Sequence, residues 1–195
     1  KCLKLLLMNF FKRFLDFVMD ILETVTFVAS IFIVIYLFIM QPNQVKGASM
    51  EPGLYSGEYI FTSKITYKFR PIEKGDIVVF KSPQNPDIDY IKRVIGLPGD
   101  TVVFQGQKVS VNGEILTEPY IADKTDLWEG GYIKEGESII IPEGEIIVLG
   151  DNRPRSSDSR EFGPIPILSV IGQVFYRYFP PNKMGGFTNP FAVGQ

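Results

Sequence analysis

The apolar and polar positions of the chain fall into two regimes that meet near residue 43. From Thr24 to Met40 the residues read TVTFVASIFIVIYLFIM, without a charge. As a helix this run is roughly 25 Å long, close to the ~30 Å of a hydrocarbon core. Phe17, Val18, Ile21 and Leu22 extend it upstream and place Asp16, Asp20 and Glu23 at headgroup level. Pro42 ends it, because proline cannot continue a helix. Beyond residue 43 the period changes to short runs rich in β-branched and aromatic residues, broken by Gly and Pro. They predict strands at Tyr59–Lys64, Asp76–Lys81, Asp89–Ile95, Thr101–Gln105, Lys108–Val111, Ser138–Ile141, Glu145–Leu149 and Val170–Tyr178. Asn112-Gly113, between VSV and EIL, is the dipeptide of a two-residue hairpin turn. Pro98-Gly99, Pro142 to Gly144 and Pro180-Pro181 mark further turns. No second helical pattern follows, and strands this short and close leave no room for parallel crossovers. The expected fold is mainly β: an amino-terminal transmembrane helix, then an antiparallel β-sheet in a partly open barrel. Residues 1–43 read as a basic end and single anchor, 44–181 as the β domain, and 182–195, with GG and NP, as a loosely ordered tail.

Charge orients the anchor. Lys1, Lys4, Lys12 and Arg13 lie on its amino-terminal flank, and the positive-inside rule puts that end in the cytoplasm. Everything after about Gln41 is then extracytoplasmic, as in a single-pass protein of the plasma membrane. Two other readings compete. A buried helix of a soluble core is rarely uncharged for so long. A cleaved secretory signal has a shorter apolar region and an amino-terminal region without this many acids. Lys1 at the first position points to residues before it.

Composition narrows the chemistry. The 195 residues suffice for one domain with a core plus an appendage. Twenty Lys and Arg against 22 Asp and Glu leave a net charge of -2, and no basic field for nucleic acid. The only cysteine, Cys2, excludes a disulfide framework or a multi-cysteine metal site, and falls on the cytoplasmic side. There is no histidine. A Ser-His-Asp triad, a Cys-His dyad and a histidine-bound zinc are all excluded. The base of any hydrolase here is Lys, Asp, Glu or Tyr.

Two residues then stand out. Ser49 lies in VKGASMEPG, a loop bracketed by Gly47 and Pro52 just after the anchor. Taken alone, it reads as an ordinary turn serine. Lys92 lies inside DYIKRVIG, where alternation sets Tyr90, Lys92 and Val94 on one face and Ile91, Arg93 and Ile95 on the other. With a basic residue on each face, one of them points toward apolar surroundings; the plain alternative is a snorkelling lysine at a sheet edge. Burial lowers a lysine pKa by as much as 3–5 units, enough to make a competent base. A neutral amine bonded to a serine hydroxyl is the Ser-Lys form of an activated nucleophile. Neither composition nor spacing brings the two residues together.

Motifs do. The chain resembles bacterial type I signal peptidases in four boxes, in order, from the anchor to about Pro180. GASMEPGL is similar to the family's nucleophile box and implies Ser49 as nucleophile. GDIVVFKSP is similar to the next box, and DYIKRVIGLPGD to the lysine box, implying Lys92 as general base. GDNRPRSSDSREFGPIP is similar to the last box, which implies that Ser156 orients the lysine amine. Arg93, Asp158 and Arg160 look like the charged cluster that supports this box, with a surface salt bridge as the plainer reading, and Gly150, Asp151 and Asn152 shape a turn beside the site. The backbone N–H of Ser49 is the expected first oxyanion donor; some members carry a hydroxyl residue two positions earlier, where this chain has Gly47. The resemblance implies a membrane-anchored serine endopeptidase that removes signal peptides from exported preproteins, cutting after small residues, with no metal and no cofactor. Its partners would be signal peptides, the lipid bilayer and the secretion machinery, not nucleic acid. Val45, Met50, Leu54, Tyr90 and Ile91 are the expected pocket residues, core packing being the alternative, strongest for Leu54. Trp128, Phe175, Tyr178 and Phe179 are read as core, with contact to lipid as the alternative. Outside the family stands a non-catalytic anchored β-domain for adhesion or assembly, which predicts that Ser49 and Lys92 are dispensable.

Overall fold

The computed structural model describes residues 2–191. Lys1 and the last four residues of the expected tail lie outside the described residues, as do the side chains of Cys2 and Lys4. The chain forms two compact units, Lys1–Ile39 and Met40–Gln195. The first is helix α1 (Cys2–Val34), continued by a wider helical turn over Ile35–Ile39. Its apolar part, Asn9–Ile39, is long enough to cross a membrane, and its most apolar 18-residue stretch has a mean hydropathy of 2.3.

In the second unit the strands are β1 (Met40–Gln44), β2 (Tyr59–Ser63), β3 (Ile77–Lys81), β4 (Asp89–Gly96), β5 (Thr101–Gln105) and β6 (Lys108–Val111). They continue as β7 (Glu114–Ile115), β8 (Ser138–Ile140), β9 (Glu145–Leu149), β10 (Ile165–Pro166), β11 (Val170–Phe179) and β12 (Gly185–Gly186). Two single-turn helices, α2 (Thr66–Phe69) and α3 (Ser159–Phe162), interrupt them. The larger sheet runs β1-β2-β11-β3-β4-β9-β10, with β12 on β11, and the smaller runs β7-β6-β5-β8. Every pairing is antiparallel. All eight expected strands are present, within a residue or two of the expected bounds. The expected hairpin is there as well: Asn112 and Gly113 both take positive φ, 54° and 83°, as its tight turn requires.

Three apolar clusters hold the sheets. Ile60, Ile77, Val79 and Val174 pack with Val45, Met50 and Leu54. Val78, Phe80, Val94, Ile146 and Val148 form the second cluster. The third joins Ile95, Ile147 and Leu149 to Val102, Phe104, Val109 and Val111 of the smaller sheet. Ile77 and Val79 thus fall in one cluster and Val78 and Phe80 in another, so β3 is covered on both faces and reads as a continuous apolar run.

Three expectations change. The break between units falls at Ile39/Met40, not after residue 43, because Met40–Gln44 pair with Ser63–Tyr59 as a strand. Pro42 fits there because β1 is the edge of the sheet, where an N–H can be absent. The segment expected as a loose tail is tied down as far as it is described. Gly185 and Gly186 pair with Arg177 and Tyr176, Lys183 bonds Glu58, and Asn189 Nδ2 donates to the Lys74 carbonyl at 2.7 Å. Phe175, Phe179 and Trp128 are part-exposed instead of core: Phe175 stacks on Phe61, Phe179 meets Tyr59 edge-on, and Trp128 lies against the Arg160 guanidinium.

Candidate active site

The loop from Val45 to Glu58 carries Ser49 and is closed at its neck. Val45 N–H donates to the Glu58 carbonyl at 2.8 Å, and Gly57 N–H to the Val45 carbonyl at 2.9 Å. Val45, Met50 and Leu54 anchor its inner side in the core, so the Gly-Ala-Ser turn between Val45 and Met50 is held at the surface. Glu58, itself buried, is paired with Arg177 at 2.9 Å and Lys183 at 3.2 Å.

Lys92 comes from the middle of β4. Its neighbour across β3 is Val78, and β9 joins β4 only from Arg93 onward, opposite Leu149. Lys92 is 3% exposed, and its Nζ lies 2.8 Å from Ser49 Oγ and 3.1 Å from the Ile91 carbonyl. Burial pulls the pKa of the amine down to about 8, against the opposing pull of Asp158 and Asp151 and with a small push from Arg160. At pH 7 about one such amine in ten is neutral, roughly 300 times the share of an ordinary lysine. The two candidate residues, 43 positions apart, therefore meet as a hydroxyl and a dehydrated amine.

The last box wraps this pair. Asn152 N–H donates to the Ser49 carbonyl at 3.0 Å. Gly150 is packed so closely that a Cβ there would strike Ser156 and the Ser49 carbonyl. Asp151 takes both arms of Arg93 at 2.8 and 2.7 Å. Asp158 caps α3, accepts from Gly150 N–H at 3.0 Å, and binds Arg160 at 2.8 and 2.9 Å. These side chains are almost wholly buried, so they form an internal frame, not the surface salt bridge that was the plainer reading.

Ser156 departs from expectation. It sits beside Gly150, buried, yet its hydroxyl makes no hydrogen bond; the amine is bonded instead to Ser49 and Ile91. The turn packs this serine against Gly150 and leaves its hydroxyl without a protein partner.

A cleft of about 840 Å³ opens beside Ser49 and Lys92. One wall is Pro42–Met50; the other is Asp87–Lys92, with Arg155 and Ser157 at the margin. Of the expected pocket residues, Val45, Met50, Tyr90 and Ile91 line it. Leu54 does not: it is 0% exposed inside the core that anchors the loop. Both walls are strand edges without a partner among the described residues. β1 ends the sheet, and residues 89–92 pair with β3 alone.

A family model described as signal peptidase, peptidase S26, matches residues 18–179. The chain belongs to this signal peptidase family. It is 37% identical to signal peptidase IB of Staphylococcus aureus (strain COL) over 185 residues, covering 88% of this chain and 96% of that protein. Signal peptidase I of Bacillus caldolyticus is 40% identical over 151 residues, 74% of this chain and 82% of that one. A crystal structure of a signal peptidase I from Enterococcus faecalis aligns at 35% identity and a TM-score of 0.45, over 53% of this chain and 97% of that one. The family read from the four sequence boxes is thus the right one.

What sequence reasoning missed in this member of the family is the set of side chains that support the last box from behind. Arg153 is fully buried, bonds the Gly150 carbonyl at 3.1 Å, and is paired with Glu118 and Thr125. Tyr120 lies under the Arg93 guanidinium, 4.1 Å from its carbon to the ring centre. Arg153 stands within the last box and was available to the eye; nothing local marks Glu118, Tyr120 or Thr125, 28 to 35 residues upstream of it.

Proposed function

We propose that the chain is a membrane-anchored serine endopeptidase that removes signal peptides from exported preproteins, with Ser49 as nucleophile and neutral Lys92 as general base. The observation that carries this is the 2.8 Å contact between Ser49 Oγ and a Lys92 amine shielded from water. Lys92 Nζ takes the hydroxyl proton as Ser49 Oγ bonds to the scissile carbonyl carbon. Charge gathers on the carbonyl oxygen, with the Ser49 N–H as one donor. The tetrahedral intermediate collapses, the C–N bond breaks, and the ammonium of Lys92 protonates the departing amine. Water, deprotonated by the same amine, then hydrolyses the Ser49 ester and frees the enzyme.

The cleft suits an extended peptide. A substrate strand between β1 and residues 89–91 gains main-chain hydrogen bonds from both open edges, while Val45, Met50, Tyr90 and Ile91 form shallow side-chain pockets. Helix α1 is the anchor, with its basic end in the cytoplasm and the β domain on the extracytoplasmic face of the plasma membrane.

The test is cleavage of a preprotein by the full chain in detergent. The wild type releases a mature product whose new amino terminus follows a small residue. Lys92→Met lowers kcat by at least ~10²-fold, Ser49→Ala leaves no turnover, and both variants unfold cooperatively. Normal cleavage by either variant ends the dyad reading and returns the chain to an anchored, non-catalytic β-domain.

A further inference from the structure

Three buried arginine–carboxylate pairs support the turn from Gly150 to Arg160 and the strand that carries Lys92. Two of them, Arg93–Asp151 and Arg160–Asp158, arise within the boxes that also supply Lys92. The third is different in origin. Arg153 belongs to the turn after Gly150, but its carboxylate, Glu118, arrives on the loop that leaves β7 of the smaller sheet. Glu118 accepts from both terminal nitrogens of Arg153, and Thr125, on the same loop, accepts from one of them. Tyr120 OH donates to Glu118 at 2.7 Å while its ring lies under Arg93. The loop from β7 to β8 therefore touches all three arginines, since its Asp126 carbonyl accepts from Arg160 at 2.8 Å and its Trp128 ring lies against the same guanidinium.

We propose that Glu118 is a positioning residue for the reaction, acting through Arg153 and the Gly150 carbonyl to hold the turn that seats Ser49 against Lys92. The chain of contacts is short. Glu118 and Thr125 satisfy the terminal nitrogens of Arg153, whose Nε is left to donate to the Gly150 carbonyl at 3.1 Å. Charge-assisted bonds in a dry interior are stiff. Gly150 in turn abuts the Ser49 carbonyl, which also accepts from Asn152 N–H at 3.0 Å. A fully buried guanidinium without its carboxylate cannot keep that place: it must move toward water or draw water in. Either movement frees the turn. The role rests on the proposed chemistry of Ser49 and Lys92, and its test is arranged to separate the two.

The groups facing Lys92 are Ser49 and Tyr90, the carboxylates of Asp158 and Asp151, and the guanidinium of Arg160. None changes charge in the double variant Glu118→Met/Arg153→Met, which removes one positive and one negative group together. Glu118→Gln, which strands the arginine, lowers Tm and cuts kcat at least ~10-fold with KM little changed. The double variant regains Tm, because an apolar pair replaces a buried ion pair, yet kcat stays down by up to ~10²-fold, the scale of a misplaced reacting group. The titration of Lys92, followed by the carbon resonance of its Cε in the full chain in detergent, moves up toward an ordinary lysine as water reaches the amine. Recovery of kcat together with Tm in the double variant, wild-type kcat in Glu118→Gln, or an unmoved Lys92 titration overturns the role. If the wild type cleaves no preprotein, the peptidase reading falls and with it the role in the reaction, while a moved Lys92 titration in the double variant still shows that Glu118 and Arg153 hold the Ser49–Lys92 contact.

Discussion

Replacing Lys92 with methionine removes the proposed base and tests the claim that its amine is held at the expense of the fold. Methionine keeps the length of the lysine stem and loses only the amine. In the folded chain the amine titrates at about 8, against 10.5 for an ordinary lysine, because burial disfavours its charged form. The sign follows from proton binding. Between these two pH values the unfolded chain holds a proton that the folded chain has released, so stability rises with pH across that window and is flat below it. At about 1.4 kcal/mol per pH unit the window amounts to about 3 kcal/mol. Lys92→Met has no such titration. Near pH 7 it escapes that penalty but gives up the hydrogen bonds of the amine, each worth about 1 kcal/mol, and so unfolds at higher denaturant than the wild type. The assay is urea unfolding of both full chains in detergent from pH 6.5 to 10.5, read from Trp128, the only tryptophan, which lies against Arg160 beside the site. The stability of Lys92→Met relative to the wild type falls by about 3 kcal/mol as pH rises, from a lead of about 1 kcal/mol near pH 7 to a deficit of about 2 kcal/mol at pH 10.5. A difference that stays constant within ~0.5 kcal/mol from pH 7 to 10.5 refutes the depressed amine, and with it the physical basis of the general base.

The same titration sets the rate. kcat/KM climbs tenfold per pH unit below about 8 and levels above it, in a pH–rate profile of preprotein cleavage. Gly150→Ala forces a Cβ against Ser156 and the backbone carbonyl of Ser49; overpacking of this kind costs about 1–3 kcal/mol, so both Tm and kcat fall together. Ser156→Ala removes a buried hydroxyl that has no partner, so thermal unfolding should show a gain of up to about 1 kcal/mol, the opposite of what a structural hydrogen bond predicts. Arg93→Met strands the Asp151 carboxylate, which is 0% exposed, and lowers unfolding free energy by about 3–5 kcal/mol.

The strands were readable because their physics is local. Thr101–Gln105 and Lys108–Val111 alternate apolar residues and form at those bounds, pairing across Gly106-Gln107, and the Asn112-Gly113 turn folds Lys108–Val111 back onto Glu114–Ile115. β1 was not readable. MQPNQ has neither alternation nor β-propensity, and its pairing comes from the Tyr59–Ser63 partner and the tolerance of an edge for Pro42. The tail failed for the same reason: GGFTNPF has no periodicity, but Gly185 and Gly186 find β11, and Asn189 finds Lys74. Ser49 and Lys92 were readable only as members of boxes, since no residue-level rule makes a loop serine meet a strand lysine 43 positions away. Ser156 shows the limit of that route. Motif matching places a residue near its chemical neighbour, but hydrogen-bond geometry is decided by the turn at Gly150 and by which acceptors, here Ser49 and the Ile91 carbonyl, reach the amine first.

A sheet that leaves two edges open ordinarily invites pairing with another copy of itself. Here each edge is short and already compromised. β1 has Pro42 at its centre, which donates nothing, and the opposite edge is preceded by Asp87 and begins at Asp89, itself paired with Lys81 at 2.8 Å. Both edges also face into one cleft instead of outward, so they are satisfied together only by a segment that enters between them. A second folded sheet cannot do that; a single extended chain can. On the proposed function this geometry is a filter that acts before any side-chain pocket. A substrate must present an unfolded stretch near its cut, and a strand that pairs with both β1 and residues 89–91 comes to rest beside the Ser49–Lys92 contact. The open edges and the buried lysine then serve one end: the missing strand that leaves main-chain groups unpaired is supplied by the substrate, and it lies down next to an amine that the fold alone has already taken out of water.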